Sequence, residues 1–294
     1  MKSGVFVGLS TVDVVYGVER FPTANSKVVA RSQDVFVGGP AANASITFAH
    51  LGGGTTLVTA VGRHPLAGLI RAELRNYSVR LIDLNPDFDE VPIISSISVD
   101  QVGDRNIVSA NAGRVPAVAA YVVKGVCDGA SVLLVDGHHM EACQAWAEAA
   151  SARGVPVVMD AGSWKTGTEH LLEIIDTAIC SADFLPPGCS TDDDVLKYLE
   201  GCGVKNIAIT RGAESIRFVS SAVSGMLPVE NAHVVDTMGA GDILHGAFCY
   251  YVAVGWGFLE ALEEAKMIAT ESCRYPGPRE WMNHYIARRS PRRS

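Results

Sequence analysis

One carboxylate in this sequence stands where a resting phosphate would be repelled by it. Asp242 closes the run Val235-Asp236-Thr237-Met238-Gly239-Ala240-Gly241-Asp242 and opens a helix-like stretch. Gly239 and Gly241 lack a Cβ, so consecutive backbone amides can point at one spot. The following helix N-terminus adds a positive field there. Gly239, Ala240 and Gly241 therefore suit an anion hole for a phosphoryl group in transfer. Beside such a hole an aspartate makes sense as a base that takes the proton from an attacking hydroxyl. The plainer reading is an aspartate that caps a helix after a glycine turn.

A second small-residue segment, Gly38-Gly39-Pro40-Ala41-Ala42-Asn43-Ala44, leads into another helical pattern. Pro40 fits a first helical turn, and Gly52 and Gly53 provide a stop. Asn43 falls in the first turn, where its amide can hold a substrate hydroxyl or simply serve packing and capping. Asp136-Gly137-His138-His139 ends a strand-like run. Its histidines either face a ligand or start a helix, and two adjacent histidines without a further spaced ligand make a poor metal site.

These groups need elements to carry them. Apolar runs at 4–9, 56–61, 131–136, 155–160, 206–210 and 232–236 read as strands buried on both faces. Helical patterns fall at about 40–51, 65–77, 139–153, 191–201, 242–254 and 258–273. Such alternation predicts a three-layer α/β/α arrangement around a mostly parallel sheet, with ligands at the carboxyl ends of the strands. Two strand-like, more polar stretches, 12–36 and 91–110, interrupt the pattern. Paired with each other they would form a small antiparallel sheet, a lid able to exclude water from the site; alone they would be edge hairpins. With no repeat or low-complexity linker, residues 1–294 read as one domain plus that lid.

Taken together, GGPAANASITFAHLGG (38–53) and DTMGAGDILHGAF (236–248) resemble the two signatures of the PfkB/ribokinase family of sugar kinases. The resemblance covers most of the chain, and Gly-Ala-Gly-Asp after Asp-Thr is its more specific part. It implies a ribokinase-like fold and transfer of the γ-phosphoryl group of ATP, with Mg2+, to a sugar hydroxyl. Carried over residue by residue, it gives Asp242 as base, with the backbone of Gly239, Ala240 and Gly241 as anion hole. Asp13, Gly39 and Asn43 would contact the sugar, and Thr210 and Gly212 the nucleotide phosphates. Asp236 and Thr237 lie where some members hold a monovalent cation such as K+. The adenine pocket would close around Ala269, Cys273 and Pro276. Lys165, after another strand, would reach an ATP phosphate or else be a solvated lysine. Residues 17–43 and 273–277 resemble the ketohexokinase-like and sulfofructose-kinase-like branch, which implies a ketose; ribose or a nucleoside is the other candidate. A non-catalytic sugar- or nucleotide-binding regulator is the alternative from outside the enzymes.

Two departures bear on this. The N-x-x-E element that organises water around Mg2+ in many relatives is absent from Ser181-Ala182-Asp183-Phe184-Leu185-Pro186-Pro187, so no metal ligand is assigned. The G-x-D that often follows the third strand is replaced by Gly62-Arg63-His64, with His64 either a surface residue, the preferred reading, or an altered contact. Arg105, in the lid stretch, and Arg63 are the cations that an anionic sugar would need.

Composition excludes other classes. The chain of 294 residues is 48% hydrophobic and 19% charged, which argues against disorder, and its net charge of -8 argues against a nucleic-acid partner. The basic run is confined to Arg288, Arg289, Arg292 and Arg293, read as a solvated tail. Seven widely spaced cysteines without a C-x-x-C pair read as buried thiols in a reducing compartment. No signal-peptide pattern precedes the first strand, and no membrane span is expected, so the setting is expected to be cytoplasmic. No P-loop, G-x-G-x-x-G, G-x-S-x-G or H-E-x-x-H occurs. The exposed strand edges of a lid suggest a homodimer.

Overall fold

The computed structural model describes residues 2–101, 103–110, 121–221 and 223–285. The basic run at 288–293 lies outside them. A nine-stranded sheet runs in the order β13-β12-β11-β10-β9-β8-β1-β4-β5. Its strands are β1 (Ser3–Val7), β4 (Gly54–Thr59), β5 (Val79–Asp83), β8 (Val132–Val135), β9 (Val157–Ala161), β10 (Thr177–Ser181), β11 (Asn206–Thr210), β12 (Ile216–Ser220) and β13 (Val223–Leu227). From β5 to β11 all neighbours are parallel; β12 and β13 add an antiparallel hairpin at one edge.

The apolar runs are continuous because both faces are covered. On one face Phe6, Leu57, Leu134 and Ile179 pack under α1 (Pro40–His50), α2 (Ala67–Asn76), α6 (Ala240–Ala253) and α7 (Phe258–Ser272). On the other, Val7, Val58, Val135 and Cys180 pack under α3 (Met140–Ser151), α4 (Thr168–Leu172) and α5 (Asp192–Gly201). Alternate residues of each central strand thus enter different cores, which is the period-two signature of a doubly covered sheet.

The small sheet has the order β3-β2-β6-β7, built from β2 (Thr11–Gly17), β3 (Ser32–Gly38), β6 (Ile94–Val99) and β7 (Arg105–Ser109). The expected pairing of the two insertions is therefore present, but the sheet is mixed. β2 and β6 run parallel because both leave the main sheet in the same direction, and only β2–β3 and β6–β7 are antiparallel.

One expected strand is absent. Residues 232–236 are irregular, with Val234 and Val235 exposed. The segment passes from β13 to α6 with no strand beside it, and the N–H groups of Val235 and Asp236 bond to the carbonyl of Cys273, at 2.8 and 3.2 Å, instead of a ladder. All seven cysteines are free thiols, four of them buried. Among the described residues no helix is long and apolar enough to cross a membrane.

Candidate active site

The glycine turn and the start of α6 bring Asp242 to its place. Gly239 has φ 70°, a left-handed conformation that a side chain would strain, and α6 begins at Ala240, two residues earlier than the sequence pattern implied. Asp242 lies in the first turn, where a negative charge complements the helix dipole. The amide of Ala240 donates to Thr237 O at 3.3 Å, so of the three residues expected in the anion hole this one already has a protein acceptor. Farther along α6, Gly246 permits close contact with α1: a Cβ there would lie 2.3 Å from Ala44 O. At that crossing Asn43 Nδ2 donates to Asp242 Oδ2 at 2.7 Å. Burial, and then the charge of Asp160, push the Asp242 carboxyl up to about 7, against the opposing donation from Asn43. A carboxyl with that value can accept and release a proton near neutrality.

Behind Asp242 lies a buried polar shell. Asp160, on β9, has its carboxylate 3.3 Å from His245 Nδ1, and burial raises its pKa. The two ring nitrogens of His245 also face Gly241 O at 2.7 Å and Ile179 O at 3.2 Å. Asp136, just past β8, accepts from the amides of Leu9 at 2.8 Å, Ala41 at 3.1 Å and His138 at 2.8 Å. It pins the end of β1 to the start of α1. Gly8 makes this possible, since a Cβ there would lie 2.0 Å from Asp136 Oδ1. His139 precedes α3 with φ 54° and starts that helix, while burial lowers the pKa of His138.

On the lid side, Asp13 lies within β2, its Oδ1 accepting from Thr11 Oγ1 at 2.6 Å. Burial raises its pKa, opposed by donation from Thr11 and Ser95 and by the charge of Arg279. Gly38 leaves room for this carboxylate: a Cβ there would lie 1.9 Å from Asp13 Oδ2. Gly39 has φ 93° and abuts Leu9 O, which sets the sharp entry to α1.

Thr210, Gly212, Thr237, Ala240, Gly241, Ala269 and Cys273 line one cavity of about 370 Å³. Its wall is otherwise mostly apolar, with Ile216, Val229 and Leu244, and Lys266 at one side donating to Pro228 O at 2.9 Å. Pro276 and Lys165 do not line it. Lys165 sits past β9, its Nζ 3.4 Å from Asp136 O and 3.2 Å from Ser163 O, on the side of the buried carboxylates. Asp236 Oδ1 accepts from Met238 N and Oδ2 from Gly277 N, both at 2.9 Å, so it ties the glycine turn to the C-terminal segment. Arg105 reaches from the lid to the hydroxyl of Thr237. Arg63 instead pairs on the surface with Asp89 at 3.4 Å, and His64 Nδ1 accepts from Leu66 N at 3.2 Å within its own turn.

Two residues of the site carry no sequence signal. Arg279, buried in the Pro-Gly-rich segment after α7, and Glu73, half-buried on α2, form an ion pair at 2.8 Å beside Asn43. Neither lies in a motif, and only the three-dimensional return of the chain joins them.

A resident metal finds no ready cage. Among the described residues no group of three or more His, Cys, Asp or Glu is placed to hold one. The oxygens of Asp136 are taken by backbone amides and Asp160 faces His245. These side chains do not fit a protein-held Mg2+.

A mostly parallel doubly covered sheet, a small lid sheet, and a buried aspartate at a glycine turn between them define the class. The chain belongs to the pfkB family of carbohydrate kinases, which it matches over residues 1–284. It is similar to the ribokinase of Bacillus subtilis, with 23% identity over 288 residues, 92% of this chain and 93% of that one. It is 24% identical to a bifunctional ribokinase/ribose-5-phosphate isomerase A of Fructilactobacillus sanfranciscensis, of which it spans 48%. In fold it resembles ribokinase from Thermotoga maritima, with a TM-score of 0.80, 21% identity and coverage of 97% of this chain and 98% of that one. Arabidopsis thaliana ribokinase, solved with ribose and ATP, gives a TM-score of 0.77 at 22% identity, covering 94% and 93%.

Proposed function

We propose that the protein transfers the γ-phosphoryl group of ATP to a hydroxyl of a sugar, with Asp242 as the general base. The observation that carries this reading is the Asp242 carboxylate, held by Asn43 at the N-terminus of α6, beside the cavity that Gly241 and Ala240 help to line. ATP would lie in that cavity, its base among Ile216, Val229 and Ala269 and its phosphates toward Thr210, Gly212 and Gly241. Asp13, Gly39 and Asn43 would hold the sugar and aim one hydroxyl at the phosphorus. As the oxygen attacks, its proton passes to Asp242, the bond from the γ-phosphorus to the bridging oxygen breaks, and ADP leaves. Magnesium, arriving on the nucleotide phosphates, would offset their charge. In this reading Lys165 serves the buried carboxylates before it serves a phosphate, and Asp236 holds the turn whether or not K+ binds near it.

Ketose-like features of residues 17–43 favour a ketose, whereas the relatives named above are ribokinases. The two are separated by coupled ADP release over D-fructose, D-ribose, adenosine and related polyols. Saturable turnover with a sugar supports the kinase; sugar binding without ADP from any acceptor would favour a regulatory binding protein instead. The lid is further proposed to pair with a second copy through its outer strands, where Val35, Ile107 and Val108 are exposed.

A further inference from the structure

We propose that Arg279 and Glu73 are a positioning pair for the base: they fix the Asn43 amide with its NH2 toward Asp242 and fasten that arrangement to the root of the lid. Arg279 is 8% exposed, and a buried guanidinium is tolerated only when its donors are met. Nε donates to Glu73 Oε1 at 2.8 Å. Nη2 donates to Val37 O and to Asn43 Oδ1, each at 2.8 Å. The Tyr77 ring lies 5.9 Å from the guanidinium carbon. Glu73 completes the cradle, its Oε2 accepting from Val37 N at 2.7 Å. The pair therefore grips both backbone groups of Val37, the residue of β3 that precedes Gly38 and Gly39.

The consequence for Asn43 follows from donor and acceptor counting. Arginine only donates, so the atom that meets it must be the amide oxygen, and the amide nitrogen is then turned toward the carboxylate of Asp242. That carboxylate receives the N–H on Oδ2, which leaves Oδ1 for the hydroxyl of the acceptor. Gly239 stays close to the same junction, where a Cβ would lie 3.4 Å from Pro278 and 3.5 Å from Asn43 Nδ2. Glycine turn, α1, lid root and C-terminal segment thus meet at one amide. The groups that face Asp242 are Asn43 from α1, His245 from α6, Asp160 from β9 and Asp136 beyond β8. Of these, Asn43 is the one that Arg279 orients.

The inference rests on Asp242 being the base, so its test carries a readout independent of turnover. In the wild type, the side-chain NH2 resonances of Asn43 should move with pH as Asp242 ionises. In an Arg279→Met/Glu73→Met double variant, which removes both charges of the pair together and so leaves neither unpaired, that response should vanish. With the best acceptor of the sugar panel, the double variant should lose about tenfold or more in kcat. Its KM for ATP should stay unchanged, and the acidic limb of its pH profile should move to higher pH. Arg279→Lys, with one ammonium in place of a fork, should reproduce the kcat loss in part. In an Asn43→Ala background the double change should cost nothing further. An Asn43 response that survives in the double variant, or kinetic losses that add to those of Asn43→Ala, would overturn the positioning role. Retained turnover in Asp242→Asn would overturn the base while the resonance result still decides the pair.

Discussion

Asp242, the proposed base, is held near the edge of ionisation by opposing neighbours. Burial and Asp160 favour its protonated form, while the Asn43 amide favours the carboxylate. Two measurable consequences follow. Turnover should decline as pH falls through about 7, because the carboxyl protonated there can no longer accept the hydroxyl proton; a steady-state profile flat between pH 5 and 8 would contradict this. Stability should have the opposite slope. A folded-state value above the unfolded one means the native state binds the proton more tightly, so the stabilisation is full at low pH and is lost as pH rises through about 7. Asp242→Asn should therefore melt at a higher temperature than wild type above that pH, with the gap closing on acidification. The motif residues at this scale were legible because glycine turns and a carboxylate at a helix start are written in adjacent letters. Arg279 and Glu73 were not, since 206 positions separate them and their roles come only from sharing Val37 and Asn43.

The elements place Asp242 through one close helix contact. Gly246 on α6 lies against Ala44 on α1, so Gly246→Ala forces a Cβ onto a carbonyl and should cost about 1–3 kcal/mol, read by urea unfolding. The same displacement should separate Asn43 from Asp242 and lower kcat in the folded fraction. Gly38→Ala should act differently, pushing the Asp13 carboxylate aside and raising KM for the sugar while sparing KM for ATP. Strands β1, β4, β8, β9 and β11 and six of the seven helices of the described residues were legible, because apolar runs and caps are local signals. Strand β10 was not, although it lies between β9 and β11, because it carries a single large aliphatic, Ile179, among small residues; nor were β5, β12 and β13 toward the sheet edges, which mix polar with apolar residues. The five-residue α4 gives too little periodicity to stand out. The run at 232–236 misled for the converse reason: it has strand-like residues but no neighbouring edge to pair with.

For the whole molecule, an acidic chain that handles phosphate must do so locally. The net charge is -8, and the cavity offers glycine-turn amides, Lys266 at its side and Arg105 over Thr237 rather than a basic surface. The lid sheet ends on exposed Ile107 and Val108, so sedimentation should report a dimer that Val108→Lys dissociates; a monomeric wild type would refute the lid pairing. The most direct test of the central claim compares wild type with Asp242→Asn using the best sugar acceptor, with ADP release and ATP affinity measured together. The kcat should fall by about 10²–10⁴-fold with ATP affinity unchanged. Turnover near the wild-type level in the variant would contradict it.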